Sequence, residues 1–324
     1  MAPLGEAEFK DFITGEGKLW FRNNTERSSF ESFDGKPVSY VSALKDDPRG
    51  VIVVFHGFTE YADKYLEFMY NFWERGYSVY VPELRGHGYS YRRVPENDRV
   101  DIDCFETYVE DMKTFMDKVV NARYPSGVRK LLFAHSMGGD VGTLFLEDHP
   151  GYFERAVLSS PMLKINYAPL SVWQARLLFV VSGLLRWNDK LISGQPGFGD
   201  RQYDFENSCC TSEERYRNDI NLRIGDEHFH TAAGTYSWGR AAMRSVKKCL
   251  DKSRLAGIGI PVLVCRAGKE TVVDPSGMSE FAEGCKRAEL AEFPEAKHEI
   301  FNSTGDVLKV YYEKLFGFFG ERAE

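Results

Sequence analysis

The chain has 324 residues, of which 43% are hydrophobic and 27% are charged. These fractions are ordinary for a globular protein, so they exclude bulk disorder and collagen-like repeats. Forty-one basic residues against forty-eight acidic ones give a formal net charge of −7, which argues against a nucleic-acid scaffold, so no nucleic-acid partner is expected.

Five short apolar runs are predicted to be buried strands of a parallel sheet. Each is rich in Val, Leu or aromatic residues, and such near-continuous apolar runs are typical of a parallel sheet that is covered on both faces. The runs are 51–55, 77–81, 130–134, 156–159 and 261–265. Two further runs, 19–21 and 38–41, are predicted to add edge strands.

Helical patterns separate these strands. Tyr65, Phe68, Met69 and Phe72 repeat at i, i+3, i+4 and i+7, and residues 105–116 follow the same spacing. Alternating strands and helices are typical of an α/β sheet with crossover helices. The sequence therefore predicts a mostly parallel sheet with helices on both faces.

The alternation stops between Pro161 and Gly259. This stretch contains an apolar segment (170–187), a glycine-rich loop (194–199) and a charged helical pattern (213–223). We therefore predict a core domain formed by residues 1–160 and 260–324, and an inserted helical cap formed by residues 161–259.

The sequence carries no pattern for export or for a membrane span. The N-terminus lacks the charged-then-apolar layout of a secretory signal. The longest apolar run, 177–181, extends to 185 only through Ser182 and Gly183 and falls short of the 20 or so residues that a bilayer core needs, about 30 Å. Six cysteines occur without a C-x-x-C pair, so we expect a cytoplasmic protein with reduced thiols.

The segment Lys130-Leu-Leu-Phe-Ala-His-Ser136-Met-Gly-Gly139 has the layout of a nucleophile elbow. A buried strand leads into a small residue, then one residue, a serine, one residue and two glycines before a helical pattern. Such a turn exposes the serine hydroxyl above the sheet edge and points the first N–H groups of the helix toward a developing oxyanion. Ser136 is therefore the predicted nucleophile.

A nucleophilic serine needs a base, and the base needs an orienting acid; in this architecture they follow in the order serine, acid, histidine. His298 alone among the seven histidines follows the last predicted strand, 291–293, so it is the predicted base. The loop after the strand that ends near Cys265 offers two carboxylates, Glu270 and Asp274. We prefer Glu270 as the acid, with Asp274 as the alternative, because Asp274 precedes a proline and is also suited to capping a helix.

An oxyanion hole needs two donors. The first is predicted to be the N–H of Met137, and the second the N–H of Phe58 in the turn His56-Gly57-Phe58, where glycine lets the backbone bend sharply. We expect His56 to brace this loop.

Taken together, the motifs resemble the monoacylglycerol lipase and lysophospholipase family. They are His-Gly-Phe at 56–58, Arg-Gly-His-Gly at 85–88, Ala-His-Ser-Met-Gly-Gly at 134–139, Glu-Thr-Val-Val-Asp at 270–274 and Lys-His-Glu at 297–299. The likeness is strongest to bacterial lysophospholipases and includes Arg-Tyr-Arg at 215–217 and Gly-Thr-Tyr-Ser-Trp at 234–238. One departure is Glu270, where family members often have Asp.

The resemblance implies an α/β-hydrolase fold and a serine hydrolase that cleaves monoacyl lipid esters without a cofactor or metal. In the predicted cap, Trp173, Leu177 and Trp187 belong to an apolar segment that is wider than a single stripe. We expect these residues to contact the acyl chain, and the cap to touch a membrane surface peripherally.

Three alternatives stay open. A carboxylesterase for small esters would share every catalytic residue. An aminopeptidase on the same fold would need cap carboxylates for the substrate amine, for which Glu213 and Glu214 are candidates. A non-catalytic binding module on a hydrolase fold is the third.

Overall fold

The valine-rich runs lie side by side in one sheet. A computed structural model describes residues 4–125, 127–195, 197–200 and 203–320. In these ranges the strands are β1 (Thr25–Glu31), β2 (Pro37–Ala43), β3 (Val51–Phe55), β4 (Ser78–Pro82), β5 (Arg99–Val100), β6 (Lys130–His135), β7 (Arg155–Ser159), β8 (Ala233–Gly234), β9 (Val262–Ala267) and β10 (Ala288–Phe293).

The main sheet is antiparallel at one edge and parallel elsewhere. Its eight described strands have the order β1-β2-β4-β3-β6-β7-β9-β10. β1 pairs with β2 and β2 with β4 in antiparallel fashion, and all other neighbours in this sheet are parallel. Because the carboxyl ends of β3, β6, β7 and β9 therefore meet at one edge, the loops that follow them converge there.

Helices cover both faces of this sheet. Along β3, Val53 lies in one buried cluster, whereas Ile52 and Val54 lie in the other, so each face of the strand has its own core. The helices are α1 (Glu6–Thr14), α2 (Glu16–Asn24), α3 (Leu66–Trp73), α4 (Glu106–Phe115), α5 (Asn121–Arg123), α6 (Met137–Asp148), α7 (Val172–Leu184), α8 (Glu213–Gly225), α9 (Tyr236–Lys248), α10 (Lys252–Leu255), α11 (Ser276–Gly284) and α12 (Gly305–Gly320). Residues of α4, α6, α9 and α11 form one core, and residues of α1, α2, α3 and α12 form the other. The predicted class, a mostly parallel sheet with helices on both faces, is confirmed.

One predicted edge strand, 19–21, is wrong. These residues lie in α2, where only Trp20 of the three is buried and Leu19 is 59% exposed. Trp20 packs against Tyr70 and Trp73, with ring centroids 5.2 and 5.5 Å apart. A three-residue apolar run is too short for its spacing to distinguish a strand from a helix, and the contact with α3 decides the outcome. The other predicted edge strand, 38–41, lies within β2.

Residues 161–259, here called the inserted segment, connect β7 to β9, which pair directly with each other. The segment contains α7, α8, α9 and α10 together with β8, which pairs with β5 outside the main sheet. Trp238, Ala241 and Ala242 of α9 lie in the same buried cluster as α6. The division into a core domain and a cap stays a prediction.

None of the described helices combines the length and the apolar composition that crossing a membrane requires.

Candidate active site

Ser136 occupies a tight turn between β6 and α6. Its φ is +51°, a left-handed conformation that a non-glycine residue adopts only under strain. The two glycines that follow allow close packing beneath it. A Cβ at Gly138 would lie 2.1 Å from the carbonyl oxygen of Phe55, and one at Gly139 would lie 2.4 Å from Cβ of Pro161. The turn therefore depends on the absence of side chains at 138 and 139.

The structure brings Ser136, His298 and Glu270 into one hydrogen-bonded chain. Ser136 Oγ lies 2.8 Å from His298 Nε2, and His298 Nδ1 lies 2.8 Å from Glu270 Oε2. His298 is 4% exposed and Ser136 6%, so the chain is shielded from water on most sides. Since a carboxylate only accepts hydrogen bonds, Nδ1 carries a proton and Nε2 is free to accept from the serine hydroxyl.

The second oxygen of Glu270 is also held. Oε1 accepts hydrogen bonds from the N–H groups of Val272 and Val273, at 2.8 and 3.2 Å. Burial by itself raises the pKa of this carboxyl, but the hydrogen bond and charge of His298, together with the two backbone donors, outweigh burial and lower the pKa below its ordinary value. Glu270 is therefore an anion at neutral pH.

Asp274 lies at the start of α11 and binds its own turn. Its Oδ1 accepts from the N–H of Ser276 at 2.9 Å, and its own N–H donates to the carbonyl of Lys164 at 3.2 Å. Within the described part of the chain, no hydrogen bond joins Asp274 to His298. The structure thus brings Glu270, and not Asp274, to the histidine.

His56 fixes the direction of the Phe58 N–H. Nε2 of His56 accepts from the N–H of Leu84 at 2.9 Å, so Nδ1 is protonated and donates to the carbonyl of Gly57 at 2.8 Å. Complete burial lowers the pKa of His56, so the ring is neutral. In a trans peptide the C=O and the N–H point in opposite directions, and holding the Gly57 carbonyl therefore holds the Phe58 N–H.

Sequence reasoning missed a buried ion cluster behind this loop. Glu60 Oε2 accepts from the N–H of Gly57 and from the hydroxyl of Tyr65, both at 2.6 Å. Lys64 Nζ lies 3.0 Å from Glu60 Oε1 and 2.6 Å from Glu299 Oε1. Burial raises the pKa of Glu60, but the charge of Lys64 and the other favourable contacts of the carboxylate, among them the Tyr65 hydroxyl, together outweigh burial and lower the pKa. The signal in the sequence is the spacing, since Glu60 follows Gly57 by three residues and precedes Lys64 by four.

Two titratable groups beside the elbow are kept uncharged. Burial lowers the pKa of His135 to about 4, and its Nδ1 donates to the carbonyl of Ser159 at 3.0 Å. Burial raises the pKa of Asp140, in the first turn of α6, to about 8. At neutral pH Asp140 therefore adds no negative charge in the first turn of α6 that would oppose an oxyanion.

The residues predicted to bind substrate lie on and beside α7. Trp173 and Leu177 are 65% and 55% exposed, and both face outward. Trp187 lies just after the helix, half-buried, with its ring centroid 6.0 Å from that of Tyr236. No hydrogen bond or ring contact joins these three residues to Ser136 or His298 in the described part of the chain.

A cavity of about 610 Å³ lies beside the loop that contains Thr59, and its described lining includes none of Ser136, His298 and Glu270. Thr59 and Glu299, the neighbours of Phe58 and His298 in the chain, contribute to its wall, as do Lys64, Arg223 and Tyr216. Its lining combines buried ion pairs with aromatic and aliphatic side chains, so the cavity offers both polar and apolar contacts.

Comparison with known proteins identifies relatives in the family that the sequence motifs resemble. The sequence profile of the Hydrolase_4 family, described as "Serine aminopeptidase, S33", matches residues 46–305. Lysophospholipase L2 of Escherichia coli is 29% identical over 283 residues, which cover 86% of this chain and 80% of that protein. The monoacylglycerol lipase of Mycolicibacterium smegmatis is 26% identical over 279 residues, which cover 85% of this chain and 90% of that protein.

Solved structures show the same architecture. A soluble variant of the monoglyceride lipase from Saccharomyces cerevisiae, crystallised with a substrate analogue, superposes with a TM-score of 0.73 at 19% identity, covering 92% of this chain and 95% of that one. A thermostable carboxyl esterase from Bacillus coagulans gives a TM-score of 0.70 at 20% identity, covering 91% and 98%. The resemblance inferred from the motifs is confirmed. This protein belongs to the Hydrolase_4 family and is a serine hydrolase with the α/β-hydrolase fold.

Proposed function

We propose that this protein hydrolyses the carboxylic ester of monoacyl lipids, lysophospholipids or monoacylglycerols, through an acyl-enzyme on Ser136. The observation that carries the proposal is the chain of two 2.8 Å contacts from Ser136 through His298 to Glu270. The substrate class is supported by relatives named as lysophospholipase and monoacylglycerol lipase.

In the first step Ser136 Oγ attacks the ester carbonyl carbon while its proton passes to His298 Nε2. The Glu270 carboxylate holds the opposite ring nitrogen and stabilises the imidazolium that forms. As the tetrahedral intermediate collapses, the bond to the alcohol breaks, and His298 Nε2–H gives its proton to the departing alkoxide. The acyl group is then esterified to Ser136.

The N–H groups of Phe58 and Met137 receive the negative charge that develops on the carbonyl oxygen. Met137 is the first residue of α6, so its N–H has no acceptor within the helix. In the described part of the chain the Phe58 N–H has no acceptor either. These two N–H groups without acceptors support the proposed oxyanion hole.

Water completes the cycle. It attacks the acyl carbonyl while His298 Nε2 again accepts a proton, and the fatty acid leaves as the Ser136 hydroxyl is restored. The same donors and the same histidine serve both halves of the reaction, and the chemistry needs no group beyond these side chains.

We further propose that the inserted segment acts as a cap that binds the acyl chain and the alcohol of the substrate at different places. Within this cap, Trp173, Leu177 and Trp187 are proposed to contact the acyl chain where it extends from the site toward a lipid surface. The charged groups in the cavity that Glu299 lines suit the polar alcohol that departs. An amphipathic ester needs both environments within reach of one serine.

The outward face of α7 is proposed to contact a lipid surface. Trp173, Leu177, Val180 and Leu184 form one stripe along the helix, and their exposed fractions range from 55% to 79%. Such a contiguous exposed apolar face is typical of an interaction site, and a peripheral membrane contact fits the proposed substrate.

A double substitution tests this contact. Val180→Gln/Leu184→Gln should lower co-sedimentation with lysophospholipid-containing vesicles at least about tenfold, because burying one large apolar side chain contributes about 1.5–3 kcal/mol. Val310→Gln, at a side chain 58% exposed on α12, is the matched control and should bind as the wild type does. Equal binding of both variants would reject the membrane contact.

A substrate panel tests the proposed function itself. We expect hydrolysis of lysophosphatidylcholine, lysophosphatidylethanolamine or monoolein, and p-nitrophenyl decanoate should be cleaved with a higher kcat/KM than the acetate. A preference for acetate would indicate a small-ester carboxylesterase. Cleavage of aminoacyl p-nitroanilides in place of the lipids would indicate an aminopeptidase.

The structure gives the aminopeptidase alternative little support. Glu213 Oε1 lies 2.8 Å from Arg217 and accepts from the hydroxyl of Tyr203 at 2.9 Å. Glu214 lies within 4.0 Å of the same arginine. Both carboxylates proposed to bind a substrate amine are thus already next to a cation.

A further inference from the structure

The residue after Phe58 is held in a strained conformation. Thr59 has φ +62°, in the left-handed region that β-branched residues strongly disfavour. On its amino side the loop is fixed by the core domain, because His56 holds the Gly57 carbonyl and Glu60 holds the Gly57 N–H. Strain of this kind persists only where surrounding contacts enforce it.

The contact on the other side comes from the inserted segment. Arg223 of α8, 5% exposed, donates from Nη2 to the Thr59 carbonyl at 2.6 Å. Its other two nitrogens donate as well: Nη1 to the Thr231 carbonyl at 2.8 Å and Nε to Asp219 Oδ2 at 3.0 Å. A guanidinium that is bound at all three nitrogens is held in one orientation, so its hydrogen bond to Thr59 is directional.

Further contacts hold α8 and its neighbours against the same loop. The hydroxyl of Tyr61 donates to Asp219 Oδ1 at 2.7 Å, and its ring stacks on Phe229 with centroids 4.0 Å apart. The ring of Phe58 packs on Trp238 of α9 at 4.2 Å. Side chains of the inserted segment therefore hold residues 58–61 in place.

We propose that Arg223 is a positioning residue for the oxyanion hole. By binding the Thr59 carbonyl it keeps Thr59 at positive φ and so holds the loop on its carboxyl side. His56 holds the Gly57 carbonyl on the amino side, and the two restraints together keep the Phe58 N–H directed toward the ester oxygen. The inserted segment thereby completes the hole in addition to covering it. This inference rests on the proposed hydrolase function, since it assigns the Phe58 N–H to the oxyanion.

The decisive experiment is a double-mutant cycle with Thr59→Gly, measured with the soluble ester p-nitrophenyl butyrate. Arg223→Met should lower kcat about 10- to 100-fold, less than the 10²- to 10³-fold loss for deleting a donor, with KM changed less than about threefold. Because glycine adopts positive φ without strain, the same substitution in the Thr59→Gly background should cost less than about threefold. The loop then keeps its conformation without the hydrogen bond from Arg223 to the Thr59 carbonyl.

A matched control lies on the same helix. Arg217 is 48% exposed and pairs with Glu213, and Arg217→Met should leave kcat within about twofold of the wild type. A loss of kcat by the same factor in the wild-type and Thr59→Gly backgrounds would show that Arg223 supports folding only and would overturn the inference. So would a wild-type kcat for Arg223→Met.

Two further outcomes are separable. If Arg223→Met does not yield folded protein, Arg223→Lys gives the same comparison, since lysine retains the charge for Asp219 but loses the directional fork. If the wild type hydrolyses no ester, the proposed function fails and this inference fails with it. If the wild type and Arg217→Met turn over while the cycle shows no compensation, only the role of Arg223 is rejected.

Discussion

Ser136→Ala is expected to abolish ester hydrolysis, with kcat lowered by about 10³- to 10⁶-fold. The substitution removes the nucleophilic oxygen, and the residual rate comes from the oxyanion donors and binding. Stability should change little, because alanine fits the same turn and the one hydrogen bond that Ser136 Oγ makes in the described part of the chain, to His298, contributes only about 1 kcal/mol. Steady-state kinetics on p-nitrophenyl decanoate and a thermal melt measure the two effects.

His298→Ala serves as the companion variant. Because Ser136 and His298 act as a unit, the double variant should lose no more activity than either single one. An additive loss would mean that the two side chains act in separate steps. A Ser136→Ala variant that retained more than about a tenth of the wild-type kcat would place the nucleophile elsewhere.

Glu270→Gln is expected to lower kcat by about 10⁴-fold, whereas Asp274→Asn should change it less than about threefold. The reason lies in the backbone N–H groups of Val272 and Val273, which both bind Oε1 of Glu270. In the glutamine variant these donors select the amide oxygen, so the NH₂ group faces Nδ1 of His298. That nitrogen must then accept, Nε2 becomes protonated, and the ring no longer accepts the proton of Ser136.

Kinetics of the two variants distinguish the two carboxylates. Asp274→Asn retains an oxygen for the N–H of Ser276 and is the matched amide control. Glu270→Asp should keep part of the activity, since it preserves charge but shortens the reach. If Asp274→Asn lost most of its kcat while Glu270→Gln kept the wild-type kcat, the assignment of the acid would be reversed.

The fold was predictable because each core strand appears in the sequence as a short, continuous apolar run. Runs such as 51–55 are apolar at every position, and a strand that is covered on both faces requires this composition. The run 19–21 carries too few residues for such a signal, and its helical state depends on the packing of Trp20 against Tyr70. The positions of the core strands could thus be predicted from local sequence, whereas the N-terminal helices could not.

The triad candidates were accessible for a different reason. Ser136, Glu270 and His298 follow β6, β9 and β10, and the parallel sheet brings their loops to one edge. Their catalytic roles stay predictions, but their proximity follows from chain order and topology. The choice between Glu270 and Asp274 required side-chain directions, which four residues of spacing do not determine.

Contacts that cross from the inserted segment to the core were out of reach. Arg223 meets Thr59 across 164 positions of sequence, and no periodicity links the two. Glu60 and Lys64 were closer to detection, since their spacing of four residues is that of a helical ion pair. Long-range partners of buried charges emerge only when the packing of the elements is known.

Labelling with a fluorophosphonate probe, followed by peptide mass spectrometry, tests the central claim most directly. A serine activated by His298 beside free N–H donors should displace fluoride and form one phosphonyl adduct on the peptide that contains Ser136. The adduct should be absent from folded Ser136→Ala. A folded wild type that hydrolyses esters without being labelled at Ser136, or labelling that persists in Ser136→Ala, would contradict it.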